Sequence, residues 1–277
     1  MNYTMGIDVG STYTKAVLLD DHDRITGRGL MKTGFKLGEA ADRVLQQALA
    51  QAGLERNDVA YTATTGYGRF QVPFRDVNVT DLTASAQGAR FLFPGTQTIL
   101  DVGGQTMKAS RLDDHGRVRS FRLNDKCAAG TGAFLEKTAR YLGFSTEEIG
   151  PLAATSKEIV PISGVCAVFA ESEVINHLSQ GSSPADIMHG AIVSLVDRSV
   201  QLMKRVQMEP EFTLVGGILR FETMARVIRE KLGAQVNVPE GDLVQYTAAL
   251  GAALLARRRL RTRSVNEQAA MAERVPA

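Results

Sequence analysis

Asp8-Val9-Gly10-Ser11-Thr12-Tyr13-Thr14-Lys15 returns later in the chain as Asp101-Val102-Gly103-Gly104-Gln105-Thr106-Met107-Lys108. Asp, Val, Gly and Lys recur at the same four places. Each copy follows a short apolar run, Tyr3 to Ile7 and Thr98 to Leu100, and each leads into two further strand-like runs. These are Ala16 to Asp20 and Arg24 to Met31 in the first copy, and Ala109 to Leu112 and Val118 to Leu123 in the second. Turn-rich segments join them, Asp21-His22-Asp23 and Asp113-Asp114-His115-Gly116. The repeat therefore predicts two meanders, each with an acidic, glycine-rich first turn.

Helical spacing follows each meander. Glu39 to Ala52 carries Ala41, Val44, Leu45, Ala48 and Leu49 and stops at Gly53. Ala133 to Leu142 stops at Gly143. Ala167 to Leu178 and Ala185 to Val206 are long helical patterns. Phe212 to Val215 reads as a strand running into Gly216-Gly217, followed by a helix over Phe221 to Leu232, a strand over Gln235 to Val238 and a last helix over Tyr246 to Leu260. Five arginines between Arg257 and Arg263 then read as a solvated helix end with a polar tail over 261–277.

Composition sets the outer limits. The chain has 277 residues, 44% hydrophobic and 22% charged, with a net charge of +2. That is enough to bury a core in about two domains, and it excludes a strongly basic nucleic-acid coat protein. The uncharged stretch Leu243 to Ala256 is 14 residues, short of the roughly 20 that span a bilayer. With Asp8 inside the first strand-like segment no secretory signal is read. A cytoplasmic protein with neither nucleic-acid nor membrane partners is expected.

The repeated turn is suited to phosphate. Glycines let backbone N–H groups approach an anion closely, and Ser11 or Thr12 adds a hydroxyl donor. Asp8 and Asp101 are placed to hold Mg²⁺, usually through water, and Lys15 or Lys108 to neutralise charge on phosphoryl oxygens. There is no G-x-x-x-x-G-K-[ST] loop and no strand-to-helix G-x-G-x-x-G, so neither a P-loop nor a Rossmann site is supported. Gly216-Gly217 supplies a third loop, with exposed backbone suited to a nucleoside.

These three loops resemble those of the actin, Hsp70 and sugar-kinase (ASKHA) superfamily. The resemblance implies an α/β fold of duplicated ribonuclease-H-like domains with a nucleotide cleft between them. Subdomain I would be 1–95, with the helix 246–260 packing back onto it, and subdomain II would be 96–245. ATP would meet Gly10, Ser11, Thr12, Lys15, Gly103, Gly104, Gly130, Thr131, Gly132, Glu136, Gly216 and Gly217. Asp8, Asp101 and Gln105 would be catalytic, Gln105 by orienting the attacking water.

The two cysteines, Cys127 and Cys166, each precede a helical pattern. A lone cysteine is usually a small buried hydrophobe, and neither belongs to a C-x-x-C pair. One chain offers too few thiolates for a cubane cluster, which normally wants four. Two chains would supply them across a two-fold or pseudo-two-fold axis. Glu136, Glu171 and Glu173, near the same helices, read as exposed helix charge, and the four histidines show no ligand spacing.

The stretches Asn124-Asp125-Lys126-Cys127-Ala128-Ala129-Gly130-Thr131-Gly132 and Cys166-Ala167-Val168-Phe169-Ala170-Glu171-Ser172-Glu173-Val174, together with Gly66-Tyr67-Gly68-Arg69, resemble the BadF/BadG/BcrA/BcrD ATPase family. The resemblance implies one [4Fe–4S] cluster bridging two subunits, with Cys127 and Cys166 as this chain's ligands. It also implies ATP and ADP as nucleotides, Mg²⁺, a ferredoxin-type electron donor, and acyl-CoA-binding catalytic subunits as partners. Thr106 stands where the activators of that family carry a second aspartate, Leu219-Arg220-Phe221 departs from their adenosine loop, and around Asp81-Leu82 their usual Glu and His are missing. These departures point to one member of a heterodimeric ATPase pair, a subunit of ATP-dependent benzoyl-CoA reductase. A homodimeric activator of a 2-hydroxyacyl-CoA dehydratase is the second reading, and a sugar or acetate kinase a remoter one.

Overall fold

The computed structural model describes residues 2–125, 130–163 and 167–272. The chain forms two compact units, Met1–Phe91 with Tyr246–Ala277, and Leu92–Gln245.

The first unit opens with β1 (Tyr3–Val9), β2 (Tyr13–Leu19) and β3 (Ile25–Lys32), followed by α1 (Leu37–Ala52), β4 (Val59–Thr65), β5 (Val77–Asn78) and α2 (Asp81–Leu92). The sheet order is β3-β2-β1-β4-β5. The meander is antiparallel, and β4 and β5 run parallel to β1. β1 is central, so Met5, Ile7 and Val9 are wholly buried. They share a core with Val44, Leu45 and Leu49 of α1, whose i, i+3, i+4 spacing gives one apolar face. Gly53 ends α1 in the left-handed region, where glycine avoids the Cβ penalty.

The second unit repeats the plan with β6 (Thr98–Val102), β7 (Met107–Leu112), β8 (Val118–Asn124), β9 (Phe212–Val215) and β10 (Val236–Asn237). Its order, β10-β9-β6-β7-β8, is the first unit's order read from the other edge. Here too the meander is antiparallel, while β9 and β10 are parallel to β6. Its helices are α3 (Gly132–Tyr141), α4 (Ile149–Ala154), α5 (Ala167–Ser179), α6 (Pro184–Lys204) and α7 (Glu222–Leu232). α6 crosses the core, burying Ile187, Met188, Ile192, Leu195 and Val196. It starts where Ser183 accepts from Asp186 N–H and Pro184 occupies the first turn, both favoured N-terminal devices.

The last helix, α8, spans Leu243–Ala272, well beyond the Leu260 expected from the apolar pattern. It lies against α2 in the first unit with almost no side chain between them. A Cβ on Gly251 would fall 1.8 Å from the Ala84 carbonyl oxygen, and one on Gly88 2.1 Å from that of Thr247.

The arginine-rich stretch is not uniformly solvated. Arg257 is 5% exposed; its guanidinium donates to the Asp20 carbonyl and pairs with Asp23 at 3.0 Å. Buried guanidinium needs such partners. No helix among the described residues is long and apolar enough to cross a membrane.

Candidate nucleotide site

Both repeated turns close in the same way. Gly10 N–H donates to the Tyr13 carbonyl at 3.2 Å, and Gly103 N–H to the Thr106 carbonyl at 2.8 Å. The antiparallel register pairs Asp8 with Lys15 and Asp101 with Lys108. Cross-strand neighbours on one face lie close enough for their side chains to meet. Lys15 Nζ accordingly lies 3.0 Å from Asp8 Oδ2, and Lys108 Nζ 3.7 Å from Asp101 Oδ2. Asp8 is 8% exposed. Ser11 is exposed and Thr12 half-buried at the tip of the first turn, and Thr33 Oγ1 holds the Gly10 carbonyl at 2.8 Å.

A second correspondence lies at the ends of β4 and β9. Gly66 and Gly216 follow them with φ of +85° and +106°. A Cβ on Gly66 would lie 2.4 Å from Asp8 Oδ1 and 2.6 Å from the Val9 carbonyl; one on Gly216 would lie 2.3 Å from the Val102 carbonyl. Both positions therefore require glycine for conformation and for space. The Gly66-Tyr67-Gly68-Arg69 stretch is thus packed on the strand end that carries Asp8. Gly68 N–H donates to the Val9 carbonyl at 2.9 Å, and Arg69 ties back to the Gly66 carbonyl.

In the second unit three of the predicted stretches converge. Gly132 N–H donates to the Gly103 carbonyl at 2.9 Å and Ala133 N–H to the Gly104 carbonyl at 2.8 Å. A Cβ on Gly132 would also meet Ile218, just past Gly217. Gly130, Thr131 and Gly132 are buried beside these loops, Glu136 is half-buried on α3, and Gln105 is exposed at the turn. A cavity of about 950 Å³ opens along the segment after Gly217, walled by Leu219, Arg220 and Phe221 on one side and Pro239, Gly241 and Asp242 on another.

Cys127 and Cys166 lie outside the described residues. The glutamates near them are not the free helix charges expected. Glu171 accepts from Lys137 Nζ at 2.7 Å and from Tyr141 Oη at 3.4 Å, both on α3. That hydrogen bond raises Lys137 above the ordinary lysine range. Glu173 accepts from the Ser163 N–H. Such long-range partners leave no periodic trace in a sequence, so these roles are not legible there. No group of three or more metal-ligating side chains occurs among the described residues.

Two topologically identical units, each with a tight glycine-bearing turn between its first two strands, define an actin-like (ASKHA) nucleotide-binding protein. The chain belongs to the BadF/BadG/BcrA/BcrD ATPase family, whose profile matches residues 5–256, and so to a class of ATP-hydrolysing proteins.

It is 39% identical to the 2-hydroxyisocaproyl-CoA dehydratase activator of Clostridioides difficile over 92% of this chain and 94% of that one. Against one of the benzoyl-CoA reductase subunits of Thauera aromatica the identity is 35%, over 92% and 93%. The solved activator of the 2-hydroxyisocaproyl-CoA dehydratase from Clostridium difficile, with bound ADPNP, superposes with a TM-score of 0.90 at 37% identity, covering 95% of this chain and 97% of that one. These likenesses favour the second reading, a dehydratase activator, over the preferred place in benzoyl-CoA reductase, to a subunit of which the chain is also similar. Differences at a few loop positions weigh less than likeness along the whole chain, and that likeness favours the activators.

Proposed function

We propose that this protein is the ATP-hydrolysing activator of a 2-hydroxyacyl-CoA dehydratase, passing low-potential electrons to that catalytic component. One observation supports the reading above the others. The glycines of the second phosphate loop, Gly103 and Gly104, are hydrogen-bonded through their carbonyls to the first turn of α3, the helix that follows Cys127 in the chain. A turn proposed to hold phosphate thus meets the first turn of the helix that follows Cys127 in the sequence.

In this reading Gly10, Ser11, Thr12, Gly103 and Gly104 hold phosphate through N–H and hydroxyl donors. Asp8 and Asp101 hold Mg²⁺ through water, and Gln105 orients the attacking water. Lys15 offsets phosphoryl charge. Gly216 and Gly217 back the nucleoside, and the adjoining 950 Å³ cavity is large enough for a base and ribose. Mg²⁺, when bound, lowers the charge on the phosphate oxygens.

Cys127 and Cys166 are assigned as thiolate ligands of a [4Fe–4S] cluster shared with a second copy. The chain holds only two cysteines, so two copies are needed for four thiolates. The helix that follows Cys166, α5, is fastened to α3 through Glu171. A ferredoxin-type protein is the electron donor in this scheme, and the acyl-CoA remains with the dehydratase.

Anaerobic purification tests it. A brown protein with about four irons per two chains is expected, and Cys127→Ser is expected to abolish that iron while ATP still binds. Colourless, iron-free protein, or a Cys127→Ser variant with undiminished iron, overturns the assignment.

A further inference from the structure

α3 and α5 are fastened together in an asymmetric way. Glu171 accepts two donors from α3, Lys137 Nζ at 2.7 Å and Tyr141 Oη at 3.4 Å. Lys137 and Tyr141 are i and i+4 on α3, one turn apart, and the lysine also lies 5.8 Å from the tyrosine ring centroid. A single carboxylate on α5 therefore grips two successive turns of α3.

Two residues on, Glu173 turns back and accepts from the Ser163 N–H, in the stretch that precedes Cys166. α5 is thus held on one side to α3 and on the other to the chain leading into it. At its own start α3 is hydrogen-bonded to the second phosphate loop, Gly132 N–H to Gly103 and Ala133 N–H to Gly104. From Gly132 to Lys137 is about 7.5 Å along a rigid helix axis.

The pair is a poor source of stability. Lys137 is half exposed, and exposed ion pairs add little to stability. Its geometry serves a different end. A carboxylate with two donors on one helix face resists sliding and rotation of α5 on α3, whereas apolar contacts alone permit both.

We propose that Lys137, Glu171 and Tyr141 form a positioning clasp that transmits the state of the second phosphate loop, through α3, to α5. The proposal rests on the reading of Gly103 and Gly104 as a nucleotide site and adds to it the route by which that site reaches the segment containing Cys166. None of the three residues touches the nucleotide in this scheme. Rigid elements with discrete contacts are how coupling of this kind is carried.

Hydrogen exchange of the full-length protein, with and without Mg²⁺ and ADPNP, tests it. In the unaltered protein the nucleotide should slow exchange at Gly103–Gln105 and change exchange in α5 by roughly threefold or more. Lys137→Met should keep the first response and lose the second, with little change in thermal stability. Glu171→Gln should behave alike, and Lys137→Arg should retain both responses. An α5 response that survives Lys137→Met, or that is absent from the unaltered protein while Gly103–Gln105 responds, overturns the clasp. If Gly103–Gln105 itself does not respond, the nucleotide reading of that loop fails and the clasp fails with it.

Discussion

Lys15 Nζ lies 3.0 Å from Asp8 Oδ2 across the first antiparallel pair, and the second unit repeats the contact between Lys108 and Asp101. The lysine pairs with the carboxylate at the base of the turn where the proposed site holds phosphate. Replacing Lys15 by Met removes a cation from a partly buried carboxylate and from the phosphoryl oxygens. A fall in kcat/KM for ATP of about tenfold to a hundredfold is expected, measured by phosphate release at varied ATP. An unchanged value would remove Lys15 from the site.

Gly66 and Gly216 separate two effects that glycine substitutions usually mix. Gly53 also has a positive φ, +66°, but a Cβ there meets nothing within 4 Å. Gly53→Ala should cost only about 1 kcal/mol, the conformational penalty. Gly216→Ala adds a clash with the Val102 carbonyl and Gly66→Ala one with Asp8, so each should cost about 3 kcal/mol or more. Urea unfolding of the three variants checks the order. Equal losses would mean that the strand ends accommodate a methyl group.

What the sequence carries is the part of the fold written in repeats and in periodic apolar faces. The Asp8 to Lys15 echo exposes the duplication, and the spacing of Val44, Leu45 and Leu49 places α1. Between Gly53 and Thr98 the Gly66-Tyr67-Gly68-Arg69 motif is legible but the secondary structure is not. β4 there is Val-Ala-Tyr-Thr-Ala-Thr-Thr and α2 is rich in small residues, so neither shows a strong apolar period. Their packing depends on close backbone approach, as at Gly88 and Gly251, which spacing rules do not register. A second echo gains its meaning only in the structure. Asp20-Asp21-His22-Asp23-Arg24 and Asp113-Asp114-His115-Gly116-Arg117 form the same turn, with Asp23 and Gly116 both at positive φ. The clasp residues, drawn from two helices far apart in the chain, leave no local pattern.

That second turn titrates. Burial pushes the Asp20 carboxyl up, but the Arg24 and His22 N–H groups and the Arg24 guanidinium outweigh it and hold it down at about 2, against an ordinary 3.8. Asp113 is lowered by the Arg117 N–H and side chain in the matching turn. A carboxyl depressed in the folded state stabilises it above its unfolded pKa, and that stability is lost as pH falls through the folded value. Stability from Asp20 should therefore be intact above pH 4 and fall between about pH 4 and 2. Asp20→Asn should flatten this limb, as followed by thermal unfolding at successive pH values. An identical acid limb in the variant would locate the transition elsewhere.

Arg257 bears on the same turn from the other side. Its guanidinium is buried, donates to the Asp20 carbonyl and pairs with Asp23 at 3.0 Å, so α8 is pinned to the β2–β3 turn by one side chain. Removing it takes one of two donors from the Asp20 carbonyl, which also accepts from the Asp23 N–H at 3.3 Å, empties a buried side-chain site, and leaves a half-exposed aspartate without that ion pair. Arg257→Ala should destabilise the protein by about 2–4 kcal/mol. Arg258→Ala, one residue on and exposed, should change stability by no more than about 0.5 kcal/mol. Lysine at 257 reaches one partner but not both, because a single ammonium lacks the planar fork of guanidinium, so Arg257→Lys should fall between them. Denaturant unfolding of the three variants decides the matter. Equal stability of Arg257→Ala and Arg258→Ala would return the whole arginine stretch to the solvated surface that the sequence pattern suggests.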